Sequence, residues 1–282
     1  MIGQQAGSFW SDKGEGFDFA LVGPTDNRVH ELHTTRFPYN TICHLERDFG
    51  NGRWVGCTGT LLSPNLVLTA AHCLFSHLRG GPPKRLRVIP GRRDRDSHPY
   101  GIMKANYFYV PKGFISPGKT KVKKRRWYDY GVVLLPDEFS KHTRFMPFSP
   151  LSSRKLISLT KGASISIAGY PGDRPKGTLW RHRERLVRIT KKRFFYSIDT
   201  CPGHSGSPIW ARVKGSSLPH LIGVHTSGIL DEKGRSYGCA KGTILAPFGL
   251  LNSGVRITDS VFRNIVHPQG RRRGNEQMIR LA

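Results

Sequence analysis

The sequence lacks a hydrophobic run long enough to cross a membrane. None of its apolar stretches approaches the roughly 18 uninterrupted apolar residues that a spanning helix requires. Internal repeats with periods of about 20 to 50 residues and low-complexity segments are also missing. These absences exclude a membrane protein and a coiled coil. They leave a globular chain of 282 residues, long enough for one large or two small cores.

Acidic residues are scarce as well. Asp and Glu number 19 against 45 Lys and Arg, which gives a formal net charge of +26. Polyanions attract such charge, but no zinc-finger spacing, ribonucleoprotein aromatic signature or basic region with heptads accompanies it. The charge therefore predicts at most adhesion to polyanions through basic loops, without specific nucleic-acid recognition, and solvated loops and strand faces are the simpler explanation. The basic runs are Lys84–Arg95, Lys119–Arg126, Arg174–Arg193 and Arg271–Arg273.

Short strand-like runs dominate the pattern of the chain. Its 32 Gly and 19 Pro favour short elements joined by turns, and a hydrophobic content of 37% is too high for a disordered protein. No long helical patterns separate the runs, which predicts an all-β sandwich or pair of barrels. The predicted strands are Thr41–Leu45, Thr58–Leu62, Leu66–Thr69, Leu86–Ile89, Tyr107–Val110, Gly131–Leu135, Ser164–Gly169, Arg185–Ile189, Phe194–Ile198, Pro208–Ala211, Leu221–His225 and Gly242–Leu245.

One helix is predicted near the C-terminus, with Thr258 as its N-cap and Pro268 beyond its end. Residues from Gly270 onward are expected to be frayed. Loops over Pro111–Arg126 and around Glu138–Lys155 are the predicted linkers, and the second of them is placed to join an N-terminal half to a C-terminal half.

Three segments hold residue types that together can activate a serine. His72 ends the run GTLLSPNLVLTAAH, Asp129 precedes the apolar run YGVVLLP, and Ser205 lies between glycines in DTCPGHSGSP. A serine hydroxyl is a poor nucleophile unless an imidazole takes its proton, and the imidazole needs a carboxylate to fix its tautomer and stabilise its charged form. Gly203 lets its backbone N–H, with that of Ser205, face a developing oxyanion. Together the segments predict nucleophilic catalysis.

These segments resemble a known family. TAAHC, DYGVVLL and GHSGSP, in this order, resemble the trypsin/chymotrypsin-fold serine proteases. The third segment, together with IAGYPGDRPKGTLW and GVHTSG, resembles more narrowly the V8-like glutamyl endopeptidase branch. The resemblance runs from about Val22 to Val266, and it implies that His72 is the general base, Asp129 the acid that orients it and Ser205 the nucleophile of a serine endopeptidase.

The resemblance also implies a fold of two antiparallel Greek-key β-barrels, with the site in the cleft between them and protein or peptide substrates. The expected domains are an N-terminal extension or propeptide over residues 1–21, a first barrel over 22–140 with His72 and Asp129, a second barrel over 141–255 with Ser205, and a C-terminal helix and basic tail over 256–282. The chain is expected to be a monomer.

The cysteines fit the same resemblance. Cys57 and Cys73 flank the His72 segment at the spacing of the family's histidine-loop disulfide, and Cys201 is the expected partner of Cys239 across the specificity pocket. Cys43 is left over. A two-bridge framework favours secretion or another oxidising compartment, whereas five buried thiols in a cytosolic enzyme are the alternative.

The specificity pocket gives two conflicting signals. By the resemblance, His225 and Thr200 bind the carboxylate of a substrate Glu, with Gly228 in the same segment, and an imidazolium with a hydroxyl is a sound carboxylate receptor. Asp199, however, lies six residues before Ser205, where trypsin-like enzymes place the carboxylate that recognises Arg or Lys. We expect Glu preference, with Arg/Lys preference through Asp199 as the alternative.

Two further expectations concern the N-terminus. Residues up to 19 lack the basic start and apolar stretch of a signal peptide, so a signal was removed before this numbering begins or export uses another route. The segment Leu21–Arg28 resembles the start of mature V8-like chains, which makes the residues before Leu21 a propeptide or an extension. His204 stands where digestive enzymes carry the aspartate that receives their new N-terminus.

No metal or cofactor is expected, because the 12 histidines form no HExxH motif and the cysteines form no paired CxxC motif. A polyanion-binding protein on an inactive protease fold is the rival function from another class. Against it, all three triad positions hold the expected residue types.

Overall fold

The computed structural model describes residues 22–23, 25–116, 125–227, 251–270 and 273–281, and these form two antiparallel β-sheets. The first sheet has eight strands in the spatial order β15–β7–β8–β4–β3–β2–β5–β6 and is curled without closing. Its strands are β2 (Ile42–Asp48), β3 (Trp54–Ser63), β4 (Leu66–Thr69), β5 (Arg85–Pro90), β6 (Met103–Ala105), β7 (Tyr107–Pro111), β8 (Gly131–Leu134) and β15 (Met278–Leu281).

The second sheet closes into a six-stranded barrel, because β9 pairs with both β10 and β12. A seventh strand, β1, adds to the outside of β10. The strands of this sheet are β1 (Val29–Glu31), β9 (Ser164–Gly169), β10 (Leu179–Ile189), β11 (Arg193–Tyr196), β12 (Pro208–Arg212), β13 (Pro219–Ser227) and β14 (Asn252–Arg256). The predicted all-β fold is therefore confirmed, with one closed barrel and one open, curled sheet.

Helices are few and short. They are α1 (Ala71–Leu74), α2 (Lys112–Ile115), α3 (Ser153–Thr160) and α4 (Asp259–Val266), with 3-10 turns at Tyr39–Thr41, 125–128 and Gly274–Glu276. None of the helices in the described ranges is long and apolar enough to cross a membrane. The predicted C-terminal helix is confirmed as α4, since the Thr258 hydroxyl accepts the N–H of Val261 and caps its first turn.

Each predicted strand within the described ranges coincides with a strand, whereas Gly242–Leu245 lies outside them. The expectation of a frayed end after Gly270 is wrong. The last strand, β15, pairs with β7 so that Met278 lies opposite Pro111 and Leu281 opposite Phe108. The short strands β1, β6, β14 and β15 were not predicted, because three to five residues carry too little alternation to distinguish a strand from a loop.

Each end of the chain adds a strand to the sheet built mainly from the other half of the chain. β1, placed by sequence in the first barrel, pairs with β10 of the second, and β15, placed beyond the second barrel, pairs with β7 of the first. Buried side chains of both sheets join in one core cluster. It includes Tyr170, whose hydroxyl donates to the carbonyls of Ile42 and Arg92 at 3.2 and 3.1 Å. The two sheets therefore pack against each other through a shared core.

Several basic side chains form ion pairs with buried carboxylates. Glu46 is buried on β2 and pairs with Arg92 at 3.0 Å and Lys176 at 2.7 Å. Although burial opposes it, hydrogen bonds from Lys176 and Arg92 lower the pKa of Glu46 to about 2. Asp48, also on β2, pairs with Arg85. The basic runs around Lys84–Arg95 and after Arg174 are therefore partly structural.

Candidate active site

His72 and Asp129 meet because of how two neighbouring strands pair. β4 and β8 are antiparallel with Thr69 opposite Gly131, so His72 after β4 and Asp129 before β8 lie at the same end of the sheet. The His72 Nδ1 lies 2.9 Å from Oδ2 and 3.1 Å from Oδ1 of Asp129, and the His72 backbone N–H donates to Oδ1 at 3.0 Å. This carboxylate fixes the tautomer in which Nδ1 carries the proton and Nε2 is the basic nitrogen.

The backbone carbonyl of His72 is also held by a hydrogen bond. The buried guanidinium of Arg47 donates to the His72 carbonyl at 2.9 Å. His72 itself is 6% exposed and Asp129 1% exposed. Low exposure strengthens the electrostatic interaction between imidazole and carboxylate. The sequence analysis missed Arg47.

Ser205 lies in the loop that enters β12, and this loop packs against the first sheet. The Ser205 carbonyl accepts hydrogen bonds from the N–H of Thr58 at 2.9 Å and from the S–H of Cys73, whose Sγ lies 3.5 Å away. Thr58 belongs to β3, and Cys73 directly follows His72. The contacts of the Ser205 backbone therefore hold the loop before β12, here called the serine loop, against β3 and against α1, the helix that contains His72.

Gly203, the predicted oxyanion-hole residue, has a left-handed backbone conformation and tight surroundings. Its φ is 102°, and a Cβ at this position would meet the Tyr170 carbonyl and, at 2.9 Å, the Gly172 nitrogen. The Thr58 hydroxyl donates to the Gly203 carbonyl at 2.7 Å and fixes the orientation of that peptide. Only glycine fits here, which explains the residue type that the sequence analysis selected.

The carboxylate of Asp199 accepts two hydrogen bonds from the N-terminal segment. Its Oδ1 accepts the N–H of Gly23 at 2.7 Å and its Oδ2 that of Asn27 at 2.8 Å. Val22, 1% exposed, packs against Cys201. The segment that starts at Val22 is thus anchored beside the serine loop.

Arg28 adds to this anchor. It pairs with Asp26 at 2.7 Å and with Asp173 at 2.6 Å, while its own side chain is 1% exposed. Although burial opposes it, the hydrogen bonds and charge of Arg28 lower the pKa of Asp26 to about 2. The Arg28 charge also lies near His204, the residue before the nucleophile, whose pKa falls to about 3 through burial first and Arg28 second. His204 is therefore neutral at physiological pH.

His225 lies on β13 and is 1% exposed. Its Nδ1 lies 2.8 Å from the hydroxyl of Tyr196, whose pKa burial raises well above its ordinary value. The phenol therefore stays protonated and donates to Nδ1, which leaves the imidazole proton on Nε2. Burial, followed by the charges of His204, His72 and Arg193, lowers the pKa of His225 well below its ordinary value. His225 is a neutral hydrogen-bond donor.

Thr200 is fully buried beside Asp199 in the serine loop. Gly228, the other predicted pocket residue, lies outside the described residues. Tyr196 was predicted to lie in a strand, but its role as the partner of His225 depends on cross-strand placement that the sequence does not reveal.

Arg193 is a further buried residue that the sequence analysis missed. It is 2% exposed, and its guanidinium donates to the Arg126 carbonyl at 2.5 Å, the Thr226 hydroxyl at 2.9 Å and the Ser253 hydroxyl at 2.7 Å. Arg126 precedes Asp129 by three residues and Thr226 follows His225, so one side chain ties the Asp129 segment to the His225 strand. Burial lowers the pKa of Arg193 to about 10, against the attraction of Asp129, and it stays a cation at neutral pH.

The prediction of a Cys57–Cys73 disulfide is wrong. Both residues are buried thiols, and Cys73 directs its sulfur to the Ser205 carbonyl instead of forming a bridge of disulfide geometry. Cys43 is also a thiol, and burial raises its pKa. Cys201 is disulfide-bonded, as predicted, while its expected partner Cys239 lies outside the described residues.

The described residues offer no metal site. In the described ranges, no group of three or more His, Cys, Asp or Glu side chains is arranged to hold a metal ion. Chemically, the arrangement of His72, Asp129 and Ser205 can support acyl transfer.

Comparison with known sequences agrees with this geometry. Residues 30–244 match the protein family described as Trypsin. A glutamyl endopeptidase of Bacillus licheniformis is 31% identical over 251 residues, which are 88% of this chain and 68% of that protein. An extracellular metalloprotease of Bacillus subtilis is 30% identical over 247 residues, 87% of this chain and 68% of that protein. A glutamyl endopeptidase of Staphylococcus aureus is 23% identical over 213 residues, 75% of this chain and 58% of that protein.

Comparison with solved structures gives the same fold. A structure of Glu endopeptidase in complex with MPD matches with a TM-score of 0.67 and 26% sequence identity, covering 89% of this chain and 100% of the other. The protease Anisep from Arthrobacter nicotinovorans matches with a TM-score of 0.57 and 17% identity, covering 86% and 98% of the two chains. The second match bears on the fold alone.

Proposed function

The chain belongs to the trypsin family and is a serine endopeptidase, and we propose that it cleaves after glutamate with His72, Asp129 and Ser205 as its catalytic residues. In this mechanism Ser205 Oγ attacks the scissile carbonyl while His72 Nε2 takes its proton. The Gly203 and Ser205 amides stabilise the oxyanion, and His72 returns the proton to the leaving amine. Water then hydrolyses the acyl-enzyme by the same route.

The observation that carries the triad is the double contact of His72 with Asp129, through ring and backbone. A carboxylate that holds both groups prevents rotation of the imidazole during proton transfer. In the buried site it also stabilises the imidazolium that forms in the transition state.

The proposed glutamate preference rests on His225 and Tyr196. A neutral imidazole with its proton on Nε2 donates one hydrogen bond to a substrate carboxylate, and the incoming negative charge raises the pKa of His225 so that a proton can follow. Thr200 is proposed to add its hydroxyl. Relatives described as glutamyl endopeptidases support the same preference.

The alternative, Arg/Lys preference through Asp199, requires the carboxylate of Asp199 to meet a substrate cation. Its two oxygens already accept backbone N–H groups of Gly23 and Asn27. Releasing them would leave those two N–H groups without their acceptor and free the N-terminal segment. We therefore propose Asp199 as the anchor of residues 22–28 and not as a substrate-binding residue.

Two tests separate catalysis from specificity. A fluorophosphonate probe is expected to label the wild-type chain and to leave Ser205→Ala unlabelled; labelling at another residue would contradict the assignment of the nucleophile. For specificity, kcat/KM is measured on matched peptides with Glu, Gln, Arg or Lys before the scissile bond.

In the specificity assay, His225→Ala is expected to reduce the Glu/Gln ratio of kcat/KM at least tenfold, since a charge-assisted hydrogen bond is lost. His220→Ala is the matched control, because His220 is a half-buried histidine on the same strand that contacts Ser149. Asp199→Ala is expected to lower overall activity while the Glu preference persists. Preference for Arg or Lys that depends on Asp199 would overturn the proposal.

We also propose that residues before Leu21 are removed and that the protein acts outside the cell. The anchored segment from Val22 and the disulfide at Cys201 favour this, as does the name of the extracellular B. subtilis relative. N-terminal sequencing of the active species is expected to give a start near Leu21. Full activity with Met1 retained would contradict it.

A further inference from the structure

A cavity lies on the outer face of the closed barrel, away from the catalytic residues. Its volume is about 370 Å³, and none of His72, Asp129 and Ser205 lines it. The register of three adjacent strands places Arg183 of β10, Ser166 of β9 and Trp210 of β12 in one row across the sheet. Since side chains of one row share a face, all three line the cavity together.

The cavity is strongly basic. Arg144, Arg183 and Arg212 line it and are exposed, and within the described part of the chain none of the three has an ion-pair partner. A fourth arginine, Arg181, is paired with Glu31 at 2.9 Å. No Asp or Glu belongs to the described residues that line it. Three uncompensated guanidiniums converge on one concave site, where the field of each is screened over only about 8 to 10 Å at physiological salt.

Aromatic side chains form part of the remaining wall. Trp210 is 7% exposed, and its ring lies 6.4 Å from that of Tyr39 in an edge-to-face arrangement. The Arg144 guanidinium lies 4.8 Å from the centre of the Phe37 ring, which holds it in place. Apolar rings beneath guanidiniums suit a ligand with short methylene chains that end in carboxylates, the chemistry of Asp and Glu side chains.

We propose that this cavity binds acidic side chains of a peptide substrate away from the scissile bond, an inference that rests on the peptidase function proposed above. A volume of about 370 Å³ takes a few side chains. A nucleic-acid backbone, in contrast, needs a row of cations along a track. Here the arginines converge from β10, β12 and the segment before α3 instead of forming a line.

The cavity and the nucleophile are within reach of one substrate. Arg212 follows Ser205 by seven residues, and at roughly 3.4 Å per strand residue the two lie no more than about 24 Å apart. An extended peptide of about seven residues spans this distance. In the proposed binding mode, one substrate places a Glu at Ser205 and an acidic segment in the cavity.

The test measures binding in the Ser205→Ala chain, so that it does not depend on turnover. A fluorescently labelled hexa-aspartate peptide is titrated at physiological ionic strength, and its anisotropy gives the Kd. The double variant Arg183→Gln/Arg212→Gln is expected to raise the Kd at least tenfold. The equally charged control Arg53→Gln/Lys104→Gln, at exposed positions just before β3 and within β6, is expected to change it less than twofold.

The outcomes separate the sources of binding. An equal loss in both double variants would assign binding to the net charge and overturn the cavity. A loss of heparin or oligonucleotide binding with unchanged hexa-aspartate binding would replace the peptide by a polyanion. Absence of hexa-aspartate binding would also overturn the inference, while failure of the wild-type chain to cleave Glu peptides would instead count against the proposed function.

Discussion

At the scale of single residues, burial decides which groups near the nucleophile carry charge. His204 and His225 are buried and neutral, because desolvation lowers the pKa of each. Arg193 is equally buried but keeps its proton at neutral pH, since its ordinary pKa is far higher. The buried side chain that stays positively charged is thus Arg193, whereas His204 and His225 act through hydrogen bonds.

Arg193→Met is expected to reduce kcat of peptide cleavage at least tenfold. The change removes the link between the Arg126 carbonyl, three residues before Asp129, and Thr226, next to His225. It also leaves buried polar groups without their donor, at a cost of about 1 to 3 kcal/mol each. Steady-state kinetics separate kcat from KM, and thermal unfolding checks the fold. Arg193→Lys, which keeps the charge, should recover part of kcat. Equal stability loss without any change in kcat would show that Arg193 is only structural.

At the scale of elements, pairing between distant strands builds the site. β4 and β8 bring His72 to Asp129, and β3 receives the serine loop through Thr58. Both ends of the chain contribute a strand to the sheet built mainly from the other half, β1 to the barrel and β15 to the open sheet.

Truncation after Gln277 is expected to lower the melting temperature by several degrees. It deletes β15, exposes the edge of β7 and removes the buried side chains of Met278 and Leu281 from the core. Differential scanning calorimetry measures the change. The point variant Arg280→Gln, which keeps the strand and replaces an outward side chain, serves as control. An unchanged melting temperature would show that β15 adds no stability.

At the scale of the whole molecule, the charge of +26 is partly absorbed by buried ion pairs and partly left on the surface. Buried histidines add a pH dependence of their own. Burial, followed by the Arg92 charge, lowers the pKa of His44 to about 3, and His204 has a similar value. The unfolded chain binds protons at these histidines below about pH 6.5, whereas the folded chain does not until about pH 3.

The free energy of unfolding is therefore expected to fall as the pH drops from about 6.5 to 3. Each such histidine contributes a slope approaching about 1.4 kcal/mol per pH unit, and the lowered carboxyl pKa values of Asp26 and Glu46 act in the same direction nearer pH 3. Urea unfolding at several pH values measures the slope. His204→Asn should make it shallower, whereas substitution of the exposed His33 should not. A slope that His204→Asn leaves unchanged would contradict the role of burial.

The sequence by itself determined the all-β class, the turn-separated strands, the capped helix α4 and the residue types for serine chemistry. These follow from local patterns: alternation, caps and glycine at a turn. Only the tertiary structure decided the direction of Asp199, the thiol state of Cys57 and Cys73, the burial of Arg193 and the strands at both ends. Each of these depends on groups that are distant in sequence and come into contact across the sheets. The sequence of a basic run is the same whether its arginines face solvent or the core, so the sequence alone does not distinguish the two.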